Sequence, residues 1–74
     1  MDVNHLIRMA NQIGEFFESM PDREEAMKDI ASHIRRFWDP RMRRAMLESL
    51  DHDNAEGLHQ IVREAISRHR QLLA

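Results

Sequence analysis

His33-Ile34-Arg35-Arg36-Phe37-Trp38-Asp39-Pro40-Arg41-Met42-Arg43-Arg44 is the stretch that decides how the chain reads. An Asp-Pro step interrupts two helical patterns here. Proline pushes the residue before it out of the α region. The Asp39 side chain can cap a following helix, and Pro40 suits the first helical position. One helix therefore ends near Phe37 and another begins at Pro40. Five arginines fall within residues 35–44, together with the only tryptophan and one of two prolines. The stretch predicts a rigid corner with fixed positive charge and an aromatic anchor. Arg35, Arg36, Phe37, Trp38, Arg41, Met42, Arg43 and Arg44 are the expected partner-binding residues.

On both sides of this stretch apolar residues recur at helical spacing, with no strand-like alternation, Gly-rich loop or internal repeat. A first helix is expected over Val3–Ser19, with Val3, Leu6, Ala10, Ile13, Phe17 and Met20 as its stripe. Met9 and Phe16 flank the stripe on one side, Ile7 and Gly14 on the other. So wide an arc predicts either a helix packed against two others or one with an edge left open. Ala10 and Gly14 would let another backbone approach closely.

Pro21 ends that helix and is expected in the first turn of the next, with Ser19 or Met20 near the cap. The second helix is expected over Asp22–Phe37, with Ala26, Met27, Ile30, Ile34 and Phe37 inward. A third spans Pro40–Leu50, with Met42, Ala45, Met46 and Leu50 on one face. Asp53 and Glu56 have the spacing of a capping box. They predict a last helix over Ala55–Leu72, whose stripe includes Leu58, Ile61, Val62, Ala65, Ile66, His69, Leu72 and Leu73. The fold class is thus all-α: a single domain, residues 1–74, built as a small bundle of about four short amphipathic helices with proline-marked corners.

A chain of 74 residues builds only a marginal core, and small domains usually add a disulfide, a metal or a partner. There is no cysteine, so disulfides and thiolate chemistry are excluded. A partner subunit is the expected source of extra stability, with homo-oligomerisation open for the isolated chain. The net charge of -2 hides an asymmetry: residues 1–34 carry three basic and seven acidic side chains, residues 35–74 eight and six. Ten of the eleven cations are arginine, which favours planar contacts with carboxylate or phosphate. No apolar run reaches the ~20 residues of a membrane span, and Met1-Asp2-Val3-Asn4-His5 does not open like a signal peptide. A cytoplasmic location is expected.

The five histidines, His5, His33, His52, His59 and His69, form no His-x-x-x-His pair and have no thiolate companion. His69, mid-stripe, suits a packed ring more than a pH sensor. None of Ser19, Ser32, Ser49 and Ser67 lies in a nucleophile elbow. No catalytic, cofactor-binding or metal-ligating residues are expected. The arginine corner admits three accounts: pairing with the acids of the second helix, binding nucleic-acid phosphate, or docking onto a protein, where Trp and Arg are common anchors. The last is favoured, with Met42 and Met46 as candidate contacts. Phe37 and Trp38 would either anchor the partner or hold the corner shut.

Leu6-Ile7-Arg8-Met9-Ala10-Asn11-Gln12-Ile13-Gly14, Phe16-Phe17, Pro21-Asp22-Arg23, Ile30-Ala31 and the run from His33 to Arg43 together resemble the small delta subunit of NAD-dependent, molybdenum-containing formate dehydrogenases. The resemblance covers residues 5 to about 50 strongly and the remainder more loosely. It implies a non-catalytic accessory subunit that supports complex assembly or molybdenum cofactor insertion. It further implies partner subunits, alpha foremost, that carry bis-molybdopterin guanine dinucleotide, iron–sulfur clusters, FMN and the NAD site. Contact between the arginines and the phosphates of that cofactor is a sharper expectation. A small helical nucleic-acid-binding regulator is the alternative.

Overall fold

Aspartates begin the first three helices. In the computed structural model, which describes residues 1–74, Asp2 accepts from the Asn4 amide at 3.0 Å and starts α1, Val3–Glu18. Asp22 accepts from the Glu24 and Glu25 amides at 3.0 and 3.3 Å and starts α2, Arg23–Phe37. Asp39 accepts from the Met42 amide at 3.0 Å and starts α3, Pro40–Asp51, with Pro40 in the first turn. Each carboxylate satisfies backbone donors that a helix start otherwise leaves unpaired. At the first corner the expected order is corrected. Asp22, not Ser19 or Met20, is the cap, and Pro21 stands before it rather than inside the helix. Ser19 instead closes α1.

The last expected helix is shorter and broken. It appears as α4, Gln60–Arg68, and α5, Arg70–Leu73, separated at His69. The Asp53–Glu56 capping box does not form, because Asp53 has a φ of 56° and Gly57 one of 89°, whereas a capping residue needs extended backbone. Glycine takes such a φ without a Cβ penalty. His59 is the N-cap, its side chain makes no capping bond, and its amide is satisfied from another helix. Asn11 of α1 accepts from the His59 amide at 2.8 Å and donates to the Gly57 carbonyl at 3.0 Å. Arg63 donates to the Ala55 carbonyl at 2.9 Å and holds the other end of this link. Ala55 and Leu58 are buried although neither is helical.

The break at His69 folds α5 back onto α2 and α3. Arg70 pairs with Asp51 through two hydrogen bonds, 3.0 and 2.6 Å, tying α5 to the end of α3. This brings Leu73 into the core at 1% exposure while His69 stays half-buried.

α2 lies at the centre, packed on α1, α4 and α5. Met27, Ile30 and Ile34 are fully buried there, each such side chain contributing about 1.5–3 kcal/mol of transfer free energy. The buried face of α1 is rotated from the expected stripe. Leu6, Ile7, Ala10 and Gly14 face inward, whereas Ile13, Phe17 and Met20 are only half-buried. The cause is Gly14. A Cβ there would lie 2.5 Å from a Val62 methyl, so glycine alone lets α4 come this close. The small-residue edge of α1 is thus filled by the chain itself, and the Met9–Phe16 edge is left open.

Candidate functional site

The corner between α2 and α3 is held from inside. Trp38 closes α2 with extended backbone, its amide donating to the Ile34 carbonyl at 3.0 Å, and its ring is 4% exposed. Arg43 reaches back from α3, and its Nη1 donates to the Arg35 and Trp38 carbonyls at 3.0 and 3.1 Å. A cation at a helix C-terminus also meets the negative end of the dipole. The Arg43 Nε is buried without a partner. Arg35 makes long contacts, 3.4 Å each, to the Leu72 and Ala74 carbonyls.

These contacts divide the expected partner-binding set. Trp38 and Arg43 hold the corner shut, and Arg35 joins α2 to α5. Met42 is half-buried against the core, and Met46 is fully buried, so Met46 offers no contact surface. Arg36, Phe37, Arg41 and Arg44 face outward. The acids of α2 do not neutralise them. Glu24 pairs with Arg68 of α4, Arg23 pairs with Glu64 at 3.4 Å, and Arg70 with Asp51 completes the set of ion pairs. None of the five corner arginines has a carboxylate partner. Phe37, expected inward, is 66% exposed.

Phe37 belongs instead to a groove between α1 and α2. Met9, Gln12, Ile13, Phe16 and Phe17 of α1 face His33, Phe37 and Trp38 across a volume of about 460 Å³. The rings form a connected row. Phe16 meets Phe17 edge-on with centroids 5.0 Å apart, Phe17 lies 6.2 Å from His33, and His33 lies 4.6 Å from Phe37. Arg36 sits over the Phe37 ring at 5.6 Å, within cation–π range. Phe16 is 75% exposed. The α1 half of this groove was not among the expected site residues. Its trace in the sequence is the excess width of the apolar arc, with Met9 and Phe16 on its edge.

Other surfaces offer less chemistry. A second cleft, also about 460 Å³, is lined mostly by polar residues, Glu48, Ser49 and His52 among them, together with Val3. The Ser49 hydroxyl donates to the Ala45 carbonyl of its own helix at 2.9 Å. No three His, Asp or Glu side chains converge as metal ligands. No helix is long and apolar enough to cross a membrane.

A protein-family model described as NADH-dependent formate dehydrogenase delta subunit FdsD matches residues 5–66. The match runs well past the residues that carry the resemblance most strongly, into α4. Comparison with curated proteins and with solved structures gave no match.

Proposed function

This chain belongs to the formate dehydrogenase delta subunit family FdsD, and on that premise we propose that it is a non-catalytic accessory subunit that docks on the catalytic subunits of the complex. It acts in the cytoplasm, has the alpha subunit as its main partner, and supports assembly of the complex or insertion of its molybdenum cofactor. The observation that carries this reading is the outward set Arg36, Phe37, Arg41 and Arg44, which has no carboxylate partner within the chain. Guanidinium groups left unpaired beside an exposed aromatic are what a protein interface rich in Arg and Phe requires. The chain itself holds no cofactor in this reading. Bis-molybdopterin guanine dinucleotide, iron–sulfur clusters, FMN and NAD belong to the partner subunits.

The test is capture of the tagged chain from native extract, with formate oxidation and molybdenum content measured in a deletion strain. Wild type retains the formate dehydrogenase subunits, and deletion lowers both activity and bound molybdenum. The triple change Arg36→Glu, Arg41→Glu and Arg44→Glu weakens capture by at least roughly tenfold while helical content is unchanged, since it sets like charge against a surface that complements the arginines, which slows encounter and opposes docking. Absence of those subunits from the wild-type capture, with full activity in the deletion strain, overturns the reading. Retention on DNA with a steep salt slope would favour the nucleic-acid regulator instead.

A further inference from the structure

We propose that the groove between α1 and α2 is the seat of an acidic amphipathic helix from one of the formate dehydrogenase subunits, an inference that rests on the accessory-subunit reading above. Phe16 and Phe37 stand as its two walls, 75% and 66% exposed. The fold does not need them there, because the core closes without either ring. Large aromatic side chains left in water on both sides of one groove mark an interaction surface.

The shape selects a helix. Met9, Ile13 and Phe16 lie at i, i+4 and i+7 on α1, a span of about 10 Å at the helical rise of roughly 1.5 Å per residue. A groove of about two turns between two helices accepts the apolar face of a third. The chain has no strand and so no sheet edge to which an extended peptide could add.

The charge selects acid. No carboxylate lines the groove. Arg36 lies at its mouth, 5.6 Å from the Phe37 ring centre. Arg41 and Arg44, exposed on α3 just after Trp38 of the groove wall, add positive charge on the adjoining helix, and all three arginines lack an ion pair. A second copy of the chain fits poorly. In a two-fold dimer the same patch meets itself, so Arg36 and its neighbours would face like charge. The occupant therefore carries apolar residues at helical spacing, flanked by Asp or Glu.

The experiment uses the complex assembled in cells. A photoreactive benzoylphenylalanine replaces Phe16, and the crosslinked peptide is identified by mass spectrometry. Alongside, the affinity of the purified chain for the complex lacking it is measured for wild type and for Phe16→Ser/Phe37→Ser. Both positions are exposed, so the double variant keeps its helical content. The expected results are a crosslink to a helical, carboxylate-bearing segment of a formate dehydrogenase subunit and at least roughly tenfold weaker binding of the variant, as loss of aromatic anchors produces. A crosslink to a basic or extended segment, to nucleic acid or to a second copy overturns the proposal. So does equal binding of variant and wild type, which leaves the accessory role standing. Failure of wild type itself to bind the complex removes that role, and the groove proposal with it.

Discussion

Gly14 shows how one missing side chain sets the geometry of the whole. Glycine within a helix is about 1 kcal/mol less favourable than alanine, so Gly14→Ala would stabilise α1 in isolation. Here the new Cβ would meet a Val62 methyl at 2.5 Å. Val62 is fully buried and, being β-branched, has one strongly preferred rotamer in a helix. It has nowhere to turn. Overpacking of this kind costs about 1–3 kcal/mol and outweighs the propensity gain. Gly14→Ala is therefore expected to lower stability by on the order of 1 kcal/mol, or roughly 4–8 °C in melting temperature for a domain of this size. Thermal or urea unfolding checks it, and an unchanged or raised midpoint would mean that α4 simply shifts outward. Arg43 makes the same point for charge. It reads as one more surface arginine, yet it bonds the end of α2 through two carbonyls.

α5 is the element most dependent on a polar clasp. Only Leu73 of its four residues is buried, and the Asp51–Arg70 pair fastens it to α3. The hydrogen bond from Arg70 is the main cause holding the Asp51 carboxyl below its ordinary value, and the same bond raises Arg70. The sign follows. A carboxyl lowered in the folded state contributes stability above its unfolded pKa and loses it as pH falls through the folded value. Both partners are half-exposed, so the effect is small and weakened by salt. Asp51→Asn is expected to lower the melting midpoint slightly at neutral pH and low salt. The difference from wild type should vanish in strong acid. Melting curves across pH at two ionic strengths check this, and a gap that persists in acid would assign the loss to packing rather than charge.

At the scale of the molecule, the body measures 33 × 22 × 18 Å, and 20 of 74 residues are buried. A core this small leaves a narrow margin against chain entropy. Binding that engages only the folded form adds to that margin by mass action, by about 2.7 kcal/mol when free partner stands roughly a hundredfold above Kd. The isolated chain is therefore expected to melt at a modest temperature and to gain about 10–20 °C in the complex, at the rate given for small domains. Calorimetry of the free chain, with hydrogen exchange of the same chain in the complex, checks both. An unchanged exchange pattern at α1 and α2 on assembly would place the contact elsewhere.

Local sequence specified the first three helices and the corner at Asp39-Pro40. A cap such as Asp39 acts within three residues, and apolar spacing acts within one or two turns. Both are local, and both are written in neighbouring letters. Tertiary structure alone decided which side of α1 faces inward, where α4 begins, why the last helix breaks, and which arginines remain free. Those outcomes depend on partners far along the chain: Gly14 against Val62, Asn11 under His59, Arg70 on Asp51, Arg43 over the end of α2. The open groove follows from them. With the Gly14 edge of α1 drawn against α4, the Met9 and Phe16 edge has nothing left in the chain to cover it.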